Sequence, residues 1–484
     1  IINESATVKG NGVLYNSLVR GDVLGIKAVN VTATGTISTD YNNRGNATAD
    51  NSYIDDNDEW KYQLMETSDD IDAGTAENET GTCIDAVGHD RDIAGNKRIR
   101  NTVDNGCFET WDLKEDGEIT AEDYPHGKSV VYVRADKELS INSGVYNESK
   151  PFNPGVLLLK HRAGLRGGGN SVALSHVIVE RSISKYGIDM AYVPFDVTDF
   201  EDNGVSVKYY DGEARAAYDY KFDGKEGKAW TDRTTGYGRI GLLLDNSNGT
   251  EPCVVRFVGK GDSENDAVYT ESASGTKLVE LTQYNFEDPW TGESTTGRRF
   301  THKENMGWNL FGSPYLCAMN YKDMEYGRVI YGYDGGNYKS VNTEGDGTTE
   351  QQGYIPAGDA VFTQTATLYA TGTNDNAYET FTVAPPSEKQ GSPYGGFTDL
   401  EVALTRTGET RWVDGTVDDE LQLSAVMASE ARTDFDLSAD GVKWMADGRP
   451  QIYATRGNAR YSLLSAVNID GEVGVGITVP EAGM

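Results

Sequence analysis

The chain has 484 residues, of which 43 are basic and 76 acidic, so its formal net charge at pH 7 is −33. A charge of this sign opposes binding to nucleic acid and to anionic membranes, and it favours a well-solvated surface that attracts divalent cations. Glycine (56 residues) and tyrosine (28 residues) are abundant and long helical periodicities are missing, as is usual for extended β-proteins. The length predicts about three domains, and no apolar run is long enough for a transmembrane helix.

Residues 1–111 combine short β-branched runs with frequent turn residues. In VLGIKAVNVTATGTISTD, residues 23–40, strand-like runs alternate with glycine and asparagine. Such residues supply the positive φ angles at the corners of a solenoid coil. The segment LMETSDDIDAGT, residues 64–75, then introduces an S-x-x-I-D-A-G step. We therefore expect stacked coils in this part of the chain.

The segment DIAGNKRIRNTVDNGCFETWD, residues 92–112, carries the most specific motif. Its polar positions are Asp92, Asn96, Arg98, Asp104 and Glu109. Their spacing resembles the D-x-x-G-N-x-R…V-D-x-G-x-x-E signature that closes right-handed parallel β-helix domains in large exported bacterial surface proteins. The resemblance implies parallel coils over residues 1–111 that end at this motif. We interpret the polar cluster as a cap held by charge-assisted hydrogen bonds, with catalysis as the alternative.

The segment DLKEDGEITAEDY, residues 112–124, looks like a metal site. It resembles the calcium loop of dockerin modules, D-x-N-x-D-G-x-I-x-x-x-D, and calcium prefers six to eight hard oxygen ligands. The carboxylates expected to bind calcium are those of Asp112, Asp116, Glu118 and Asp123. Lys114 occupies a position where the loop needs an oxygen ligand, so weak binding is expected and a solvated acidic turn is the alternative. We predict that residues 112–127 form a junction between domains.

The chain contains four cysteines: Cys83, Cys107, Cys253 and Cys317. An even number in an exported protein permits two disulfides. Cys83 and Cys107 lie roughly one coil apart in sequence, and Cys253 and Cys317 both fall in strand-like segments. The predicted disulfides are therefore Cys83–Cys107 and Cys253–Cys317, with buried thiols as the alternative. The absence of a C-x-x-C pair and the scattered histidines give no support to a zinc site.

From residue 128 the chain reads as antiparallel β-structure. Strand-like runs such as VVYVRADKELSI and VLLLKHRAGL alternate with polar or glycine-rich turns. ISKYGIDMAYVPFDV (183–197) and KYYDGEARAAY (208–218) resemble strands that are common in surface proteins of the Bacteroidota phylum. These segments predict a β-sandwich module over residues 128–300.

The second specific motif is GWNLFGSPYLCAMNY, residues 307–321, followed by GYIPAGDAVFTQT. It resembles the G-W-N-L-x-G-N-P-Y…I-x-P-x-x-A-F-x-V pattern of β-sandwich modules in large Bacteroidota proteins exported by type IX secretion. We predict a β-rich module over residues 301–385 with Trp308 in its core, the commoner position for an aromatic ring. The side chains that would instead form a platform for sugar rings are Trp308, Tyr315 and Phe362.

Residues 386–484 are predicted to form a C-terminal β-sandwich module. The run from Asp434 to Lys443 resembles the F-D-x-x-x-D-A-x-K element that precedes the sorting domain of the same proteins. Together, the resemblances predict an all-β chain, with the end of a right-handed parallel β-helix followed by antiparallel β-sandwich modules. We expect the chain to be a section of a longer secreted polypeptide.

The resemblance implies an extracellular, cell-surface location and a non-enzymatic role as an adhesin or structural protein. The expected partners are envelope or secretion-machinery components, together with host or polysaccharide ligands or further copies of the chain. No G-x-S-x-G, H-E-x-x-H or P-loop string occurs in the sequence. Two alternatives stay open: a polysaccharide-acting β-helix enzyme whose active coils lie upstream of Ile1, and a subunit of an extracellular filament.

Overall fold

The computed structural model describes the middle of the chain almost continuously and its two ends in shorter stretches. The described residues are 8–9, 13–19, 23–24, 27–33, 37–38, 64, 68, 71–73, 77–78, 81–82, 91–92, 94–97, 104, 109–283 (except 128, 213–228, 264 and 274), 307–343 (except 325–327 and 335–336), 353–365, 377–395, 400–405, 417–426, 440–443, 451–456, 459–468 and 472–478. These residues lie mainly in strands and turns, so the predicted all-β class is confirmed. Among them, no helix is long and apolar enough to cross a membrane.

The chain divides into two compact units. The first contains residues 1–180 and 258–273, and the second contains residues 181–257 and 274–484. The domain boundaries predicted near residues 111, 127, 300 and 385 stay predictions.

Short strands near the N-terminus pair in parallel. They are β1 (Val8–Lys9), β2 (Val13–Val19), β3 (Val23–Leu24), β4 (Lys27–Ala33) and β5 (Ile37–Ser38). β3 pairs with both β1 and β5, and β2 pairs with β4, each in parallel. Val8 lies opposite Val23, and Val23 opposite Ile37, so that partners are 14 or 15 positions apart. A small antiparallel hairpin follows, formed by β6 (Glu77–Asn78) and β7 (Gly81–Thr82).

Two parallel ladders run through residues 111–183, of which residues 111–180 belong to the first unit. The first ladder contains β8 (Trp111–Leu113), β10 (Val130–Val133), β12 (Val156–Leu159) and β15 (His176–Ile183). The second ladder contains β9 (Gly117–Ile119), β11 (Glu138–Ile141) and β13 (Gly164–Arg166). The chain alternates between the ladders along this stretch. The first unit also contains an antiparallel pair formed by β14 (Val172–Leu174) and β22 (Tyr269–Glu271).

The antiparallel pairing predicted from residue 128 is therefore wrong for residues 130–159. β10 and β12 are buried along their whole length, with no alternation between exposed and buried positions. Strands that are covered on both faces carry continuous apolar runs, which is the usual pattern of parallel sheets. The predicted closure of parallel structure near residue 109 is also wrong, because parallel pairs continue to Val179.

The second unit consists mostly of antiparallel sheets. Its first strands are β16 (Ile188–Ala191), β17 (Asp199–Glu201), β18 (Ser206–Tyr210), β19 (Trp230–Asp232), β20 (Leu242–Asp245) and β21 (Cys253–Lys260), the last of which continues into the first unit. Its middle strands are β23 (Lys277–Gln283), β24 (Trp308–Gly312), β25 (Met319–Asn320), β26 (Val329–Asp334), β27 (Asn337–Asn342), β28 (Gly353–Ile355), β29 (Ala360–Gln364), β30 (Ala377–Val383) and β31 (Ser392–Pro393). Its last strands are β32 (Leu400–Thr405), β33 (Val417–Val426), β34 (Gly441–Val442), β35 (Gln451–Arg456), β36 (Ala459–Asn468) and β37 (Gly474–Thr478).

Four sheets contain most of these strands. Their strand orders are β16-β20-β18-β19, β24-β29-β26-β27, β25-β28-β31 and β32-β33-β36-β35-β37, and β34 pairs with β36 at the side of the last one. β23 pairs with β30 as a separate antiparallel ribbon. A 3₁₀ helix, Tyr321–Asp323, follows β25.

The sheet β24-β29-β26-β27 has an apolar cluster on each face. On one face lie Trp308, Tyr331 and Phe362, together with Met190 and Leu243. On the other face lie Phe311, Ile330 and Val361, together with Val279, Leu281 and Phe381. Because side chains alternate along a strand, each of these strands contributes to both clusters. This sheet is therefore a central layer of the second unit.

Candidate functional site

The polar motif at residues 92–109 forms a continuous hydrogen-bond network. The carboxylate of Asp92 accepts hydrogen bonds from the backbone and side-chain amides of Asn96 at 2.7 and 2.8 Å, and from the backbone N–H of Glu109 at 2.8 Å. The Oδ1 atom of Asn96 accepts bonds from Ser129 Oγ at 2.8 Å and from the backbone N–H of His126 at 3.2 Å. The motif is therefore bonded to the turn that leads into β10.

Asp104 connects this network to the earlier S-x-x-I-D-A-G step. Its Oδ1 accepts the backbone N–H of Asp72 at 2.7 Å, and its Oδ2 accepts the backbone N–H of Thr110 at 2.7 Å. In turn, the backbone N–H of Asp104 donates to Glu109 Oε2 at 3.2 Å. Two motifs that are separate in sequence thus meet through one buried carboxylate.

Burial raises the pKa of Asp104 to about 6, although the backbone N–H groups of Asp72 and Thr110 act in the opposite direction. Perturbed pKa values often mark catalytic sites. Here the carboxylate is surrounded by backbone donors of its own scaffold, and Asn96, Asp104 and Glu109 are all buried. The hydrogen bonds predicted for Asp92, Asn96 and Asp104 are present, but the motif does not cap the parallel strands, because parallel pairing continues beyond it. Arg98 lies outside the described residues.

The acidic segment 112–124 has its carboxylates in different environments. Asp112 lies in β8 and is buried, and Arg134 binds both of its oxygens, Nε to Oδ1 at 2.5 Å and Nη2 to Oδ2 at 2.9 Å. Asp116 accepts the backbone N–H of Glu138 at 2.8 Å. Glu118 is exposed in β9, and the backbone N–H of Asp123 donates to Thr120 Oγ1 at 3.1 Å.

The structure does not bring these four carboxylates together as metal ligands. Groups of three or more ligand side chains that could hold a metal ion are absent from the described residues, which include all four. Lys114 lies 3.7 Å from Asp112 Oδ2 and 2.8 Å from Asp72 Oδ2, so its ammonium occupies space where a cation would have to approach. The arrangement therefore does not fit a calcium loop, and calcium binding by this segment stays a prediction from the sequence.

A set of ion pairs along the two parallel ladders was missed by the sequence analysis. Each pair joins a residue to another that lies 20–28 positions later, at or beside the neighbouring strand of the same ladder. The pairs are Asp112–Arg134, Glu115–Lys137, Glu138–Arg166 and Lys160–Glu180. The signal in the sequence was the recurrence of opposite charges at the spacing of neighbouring strands, and that spacing is known only from the strand register.

The aromatic side chains of the second motif are core residues. Trp308 and Tyr315 are each 1% exposed and Phe362 is fully buried, so the prediction of a buried Trp308 is confirmed. The alternative platform for sugar rings is wrong, because none of these three rings has a face open to solvent. Asn309 occupies the other side of the strand and pairs with both the backbone N–H and the carbonyl of Thr282.

A buried charge network around Arg181 was also missed. Arg181 is 0% exposed and donates to Asp189 through Nε and Nη2 at 2.8 and 3.0 Å, and to Asp359 Oδ1 through Nη2 at 2.6 Å. The hydroxyl of Tyr394 donates to Asp359 Oδ2 at 2.6 Å. Burial alone would lower the pKa of Arg181, but the two carboxylates raise it above its ordinary value. These residues fix the strand β16 to the segment before β29. No local sequence motif predicts a contact between residues so far apart in the chain.

The predicted Cys253–Cys317 disulfide is wrong, because both residues are thiols. Cys253 begins β21 and is partly exposed, and burial raises the pKa of its thiol. Cys317 lies in the segment between β24 and β25 and is buried in an apolar cluster that does not include Cys253. Cys83 and Cys107 lie outside the described residues.

The C-terminal element is described from Asp440 onwards. Asp440 is buried and accepts a bond from Arg456 at 3.3 Å, and the backbone N–H of Lys443 donates to the carbonyl of Arg460. These contacts attach β34 to the last sheet, so Asp440 and Lys443 have a structural role. Residues 434–436 lie outside the described residues.

Comparisons of the chain with protein-family models, with curated proteins and with solved structures gave no match.

Proposed function

We propose that the chain is a non-enzymatic structural or adhesive section of a secreted protein on a bacterial cell surface. In this proposal, the first unit is a right-handed parallel β-helix and the second unit supplies β-sandwich modules. The observation that carries the proposal is the pair of parallel ladders in residues 111–183, whose neighbouring coils are joined by ion pairs.

The alternation of the chain between two parallel ladders supports a β-helix. A strand of one ladder is followed by a strand of the other, and then by the next strand of the first ladder. Parallel strands joined by crossovers are almost always connected with a right-handed sense. Stacked coils of this kind form a scaffold in which each coil contacts only its neighbours, and such scaffolds suit proteins that project or separate other parts.

The use of charged groups supports a structural role. The carboxylates of Asp92, Asp104 and Asp112 all accept hydrogen bonds from the scaffold itself. A catalytic acid or base must lie within hydrogen-bonding distance of its substrate, so its carboxylate has to be accessible to that substrate. The resemblance of the sequence motifs to Bacteroidota surface proteins supports an extracellular location, with envelope or secretion-machinery components as partners and host or polysaccharide molecules as ligands.

A paired assay of binding and cleavage tests the proposal. The purified chain is incubated with a panel of immobilised acidic and neutral polysaccharides, and retained protein and released oligosaccharides are measured in the same wells. We expect no released product from any polysaccharide, whether or not the protein is retained. Released oligosaccharides with a new double bond would contradict the proposal and support the alternative of a polysaccharide lyase. A mock purification from cells that lack the chain, assayed in the same way, identifies any activity of a contaminant.

A further inference from the structure

Strand β37 is an open edge of the last sheet. It pairs with β35 in an antiparallel register from Gly474 to Thr478, and among the described strands it has no neighbour on its other side. An edge strand presents a row of backbone N–H and C=O groups to which another extended chain can bind. The occupant of such an edge is therefore a β-strand.

The side chains on one side of β37 are apolar and exposed. Val475 is 49% exposed and Ile477 is 57% exposed. In the register, they lie opposite Ala454 and Ile452 of β35, which are buried in the core cluster of this sheet. Residues that face each other across a ladder point to the same side of the sheet. Val475 and Ile477 thus continue the core-facing surface beyond the last strand and leave it half covered.

The strand β37 itself, Gly474–Thr478, contains no lysine, no proline and no bulge that would hinder pairing at its edge. Edge strands of monomeric proteins are generally blunted by lysine, proline or a bulge. The pairing of β37 with β35 has no interruption, and the sequence VGVGITVP, residues 473–480, contains no charged residue. Such a run is notable in a chain of which 25% of the residues are charged.

We propose that β37 pairs with β37 of a second copy of this chain, antiparallel and about a two-fold axis at Gly476. Val475 of one copy then lies opposite Ile477 of the other, so that two pairs of β-branched side chains meet on the core-facing side. Gly476 lies opposite its own equivalent and Gly474 opposite Thr478, which leaves room on the other side. A two-fold contact of this kind closes on itself and gives a dimer.

The distribution of charge favours a second copy over an unrelated strand. The strand itself, Gly474–Thr478, contains no charged residue, and the exposed carboxylate of Glu472 lies outside these five paired positions. No acidic residue therefore faces an acidic residue of the other copy within the pairing. A basic partner would find no carboxylate along β37 to attract it. In this register, Val475 and Ile477 of one copy face Ile477 and Val475 of the other, and each glycine faces glycine or Thr478.

The contact is expected to be weak and to respond to salt. A five-residue strand pair buries less area than the roughly 1,200 Å² of a standard stable interface, so a dissociation constant on the order of 10 µM is expected. Each copy carries a formal charge of −33, so the copies repel each other at low ionic strength. Added salt screens this repulsion and should strengthen the dimer.

Sedimentation of the purified chain at low and high salt tests the proposal. The test variants are Val475→Lys and Ile477→Lys, and the control is Leu278→Lys, because Leu278 is 60% exposed on the separate β23–β30 ribbon. All three substitutions lower the net negative charge equally. We expect wild type and Leu278→Lys to form a dimer at high salt, and each edge variant to raise the dissociation constant at least tenfold.

Several results would overturn the proposal. They are a wild type that stays monomeric up to about 0.1 mM at high salt, equal association of all four proteins, and open polymers in place of dimers. Thermal unfolding of each variant establishes that it is folded, and if one edge variant does not fold, the other decides the outcome, because both positions lie in the proposed contact.

Discussion

At the scale of single residues, Asp104 shows how a buried carboxylate joins two motifs of the chain. Its pKa is raised to about 6 by burial, whereas an aspartate in an unfolded chain titrates near 3.8. Between these two values Asp104 binds a proton more often in the folded protein than in the unfolded chain, so its contribution to stability decreases as the pH rises. The contribution of Asp104 is thus largest below pH 4 and is lost as the pH passes 6.

We predict that the substitution Asp104→Asn removes this pH dependence. In the wild type, acidification from pH 7 to pH 4 should add about 2 kcal/mol to the free energy of unfolding through Asp104. The variant does not titrate, and it loses one acceptor for the buried N–H groups of Asp72 and Thr110, which costs roughly 1–3 kcal/mol at pH 7. The difference between the two proteins, measured by urea unfolding, should therefore grow towards pH 4. Parallel profiles would show that Asp104 titrates normally.

A second residue-scale prediction concerns Gly312 of the GWNLFGSPY motif. A Cβ atom at this position would lie 2.5 Å from Tyr192 Cβ and 2.6 Å from the carbonyl oxygen of Asp359. The substitution Gly312→Ala should therefore destabilise the second unit by about 1–3 kcal/mol, since the backbone must move apart. The control is Gly127→Ala, whose Cβ would meet only Asn153 O at 3.9 Å. Equal melting temperatures of both variants would contradict this account of the motif.

At the scale of elements, the ion pairs between neighbouring strands account for part of the stability of the parallel ladders. Arg134 is the partner of Asp112, whose carboxylate is almost completely buried. The removal of one member of a buried pair leaves the other charge uncompensated. The pair Arg239–Asp196 is exposed on both sides and offers a surface control.

We predict that Arg134→Met lowers the free energy of unfolding by about 1–3 kcal/mol. Arg239→Met should change it by less than about 0.5 kcal/mol, because exposed pairs contribute little. Urea unfolding at low and high salt measures both effects. The loss in Arg134→Met should persist at high salt, since a buried pair is poorly screened. A loss that disappears with salt, or equal losses in both variants, would place Asp112 in solvent.

The sequence predicted some elements correctly and misjudged the direction of others for physical reasons. The all-β class follows from turn spacing and β-branched runs, and the burial of Trp308 follows from its place in an alternating strand. Parallel pairing in residues 130–159 was missed because VVYV and VLLL were interpreted as strands of an antiparallel region. Continuous apolar runs without alternation are the signal of strands that are covered on both faces.

Long-range contacts were beyond the reach of local patterns. Arg181 and Asp359 are 178 positions apart, and no spacing rule connects them. The acidic segment shows the opposite failure, because its loop-like spacing does not reveal that Arg134 occupies both oxygens of Asp112. The disulfide prediction failed similarly, since an even number of cysteines says nothing about which strands become neighbours.

At the scale of the whole molecule, a net charge of −33 favours a well-solvated surface. Among the described residues, the buried carboxylates of Asp104 and Asp112 are bound by groups of the chain itself. Both features support the proposed role as a structural or adhesive section of a surface protein.

Labelling of intact source cells tests the central claim, a surface-exposed structural protein, most directly. Antibodies raised against residues 109–283 are applied before and after permeabilisation, and intact cells are also treated with an added protease. The account predicts that intact cells are labelled and that the protease removes the label, with an antibody to a cytoplasmic protein as the control. Label that appears only after permeabilisation would contradict the account.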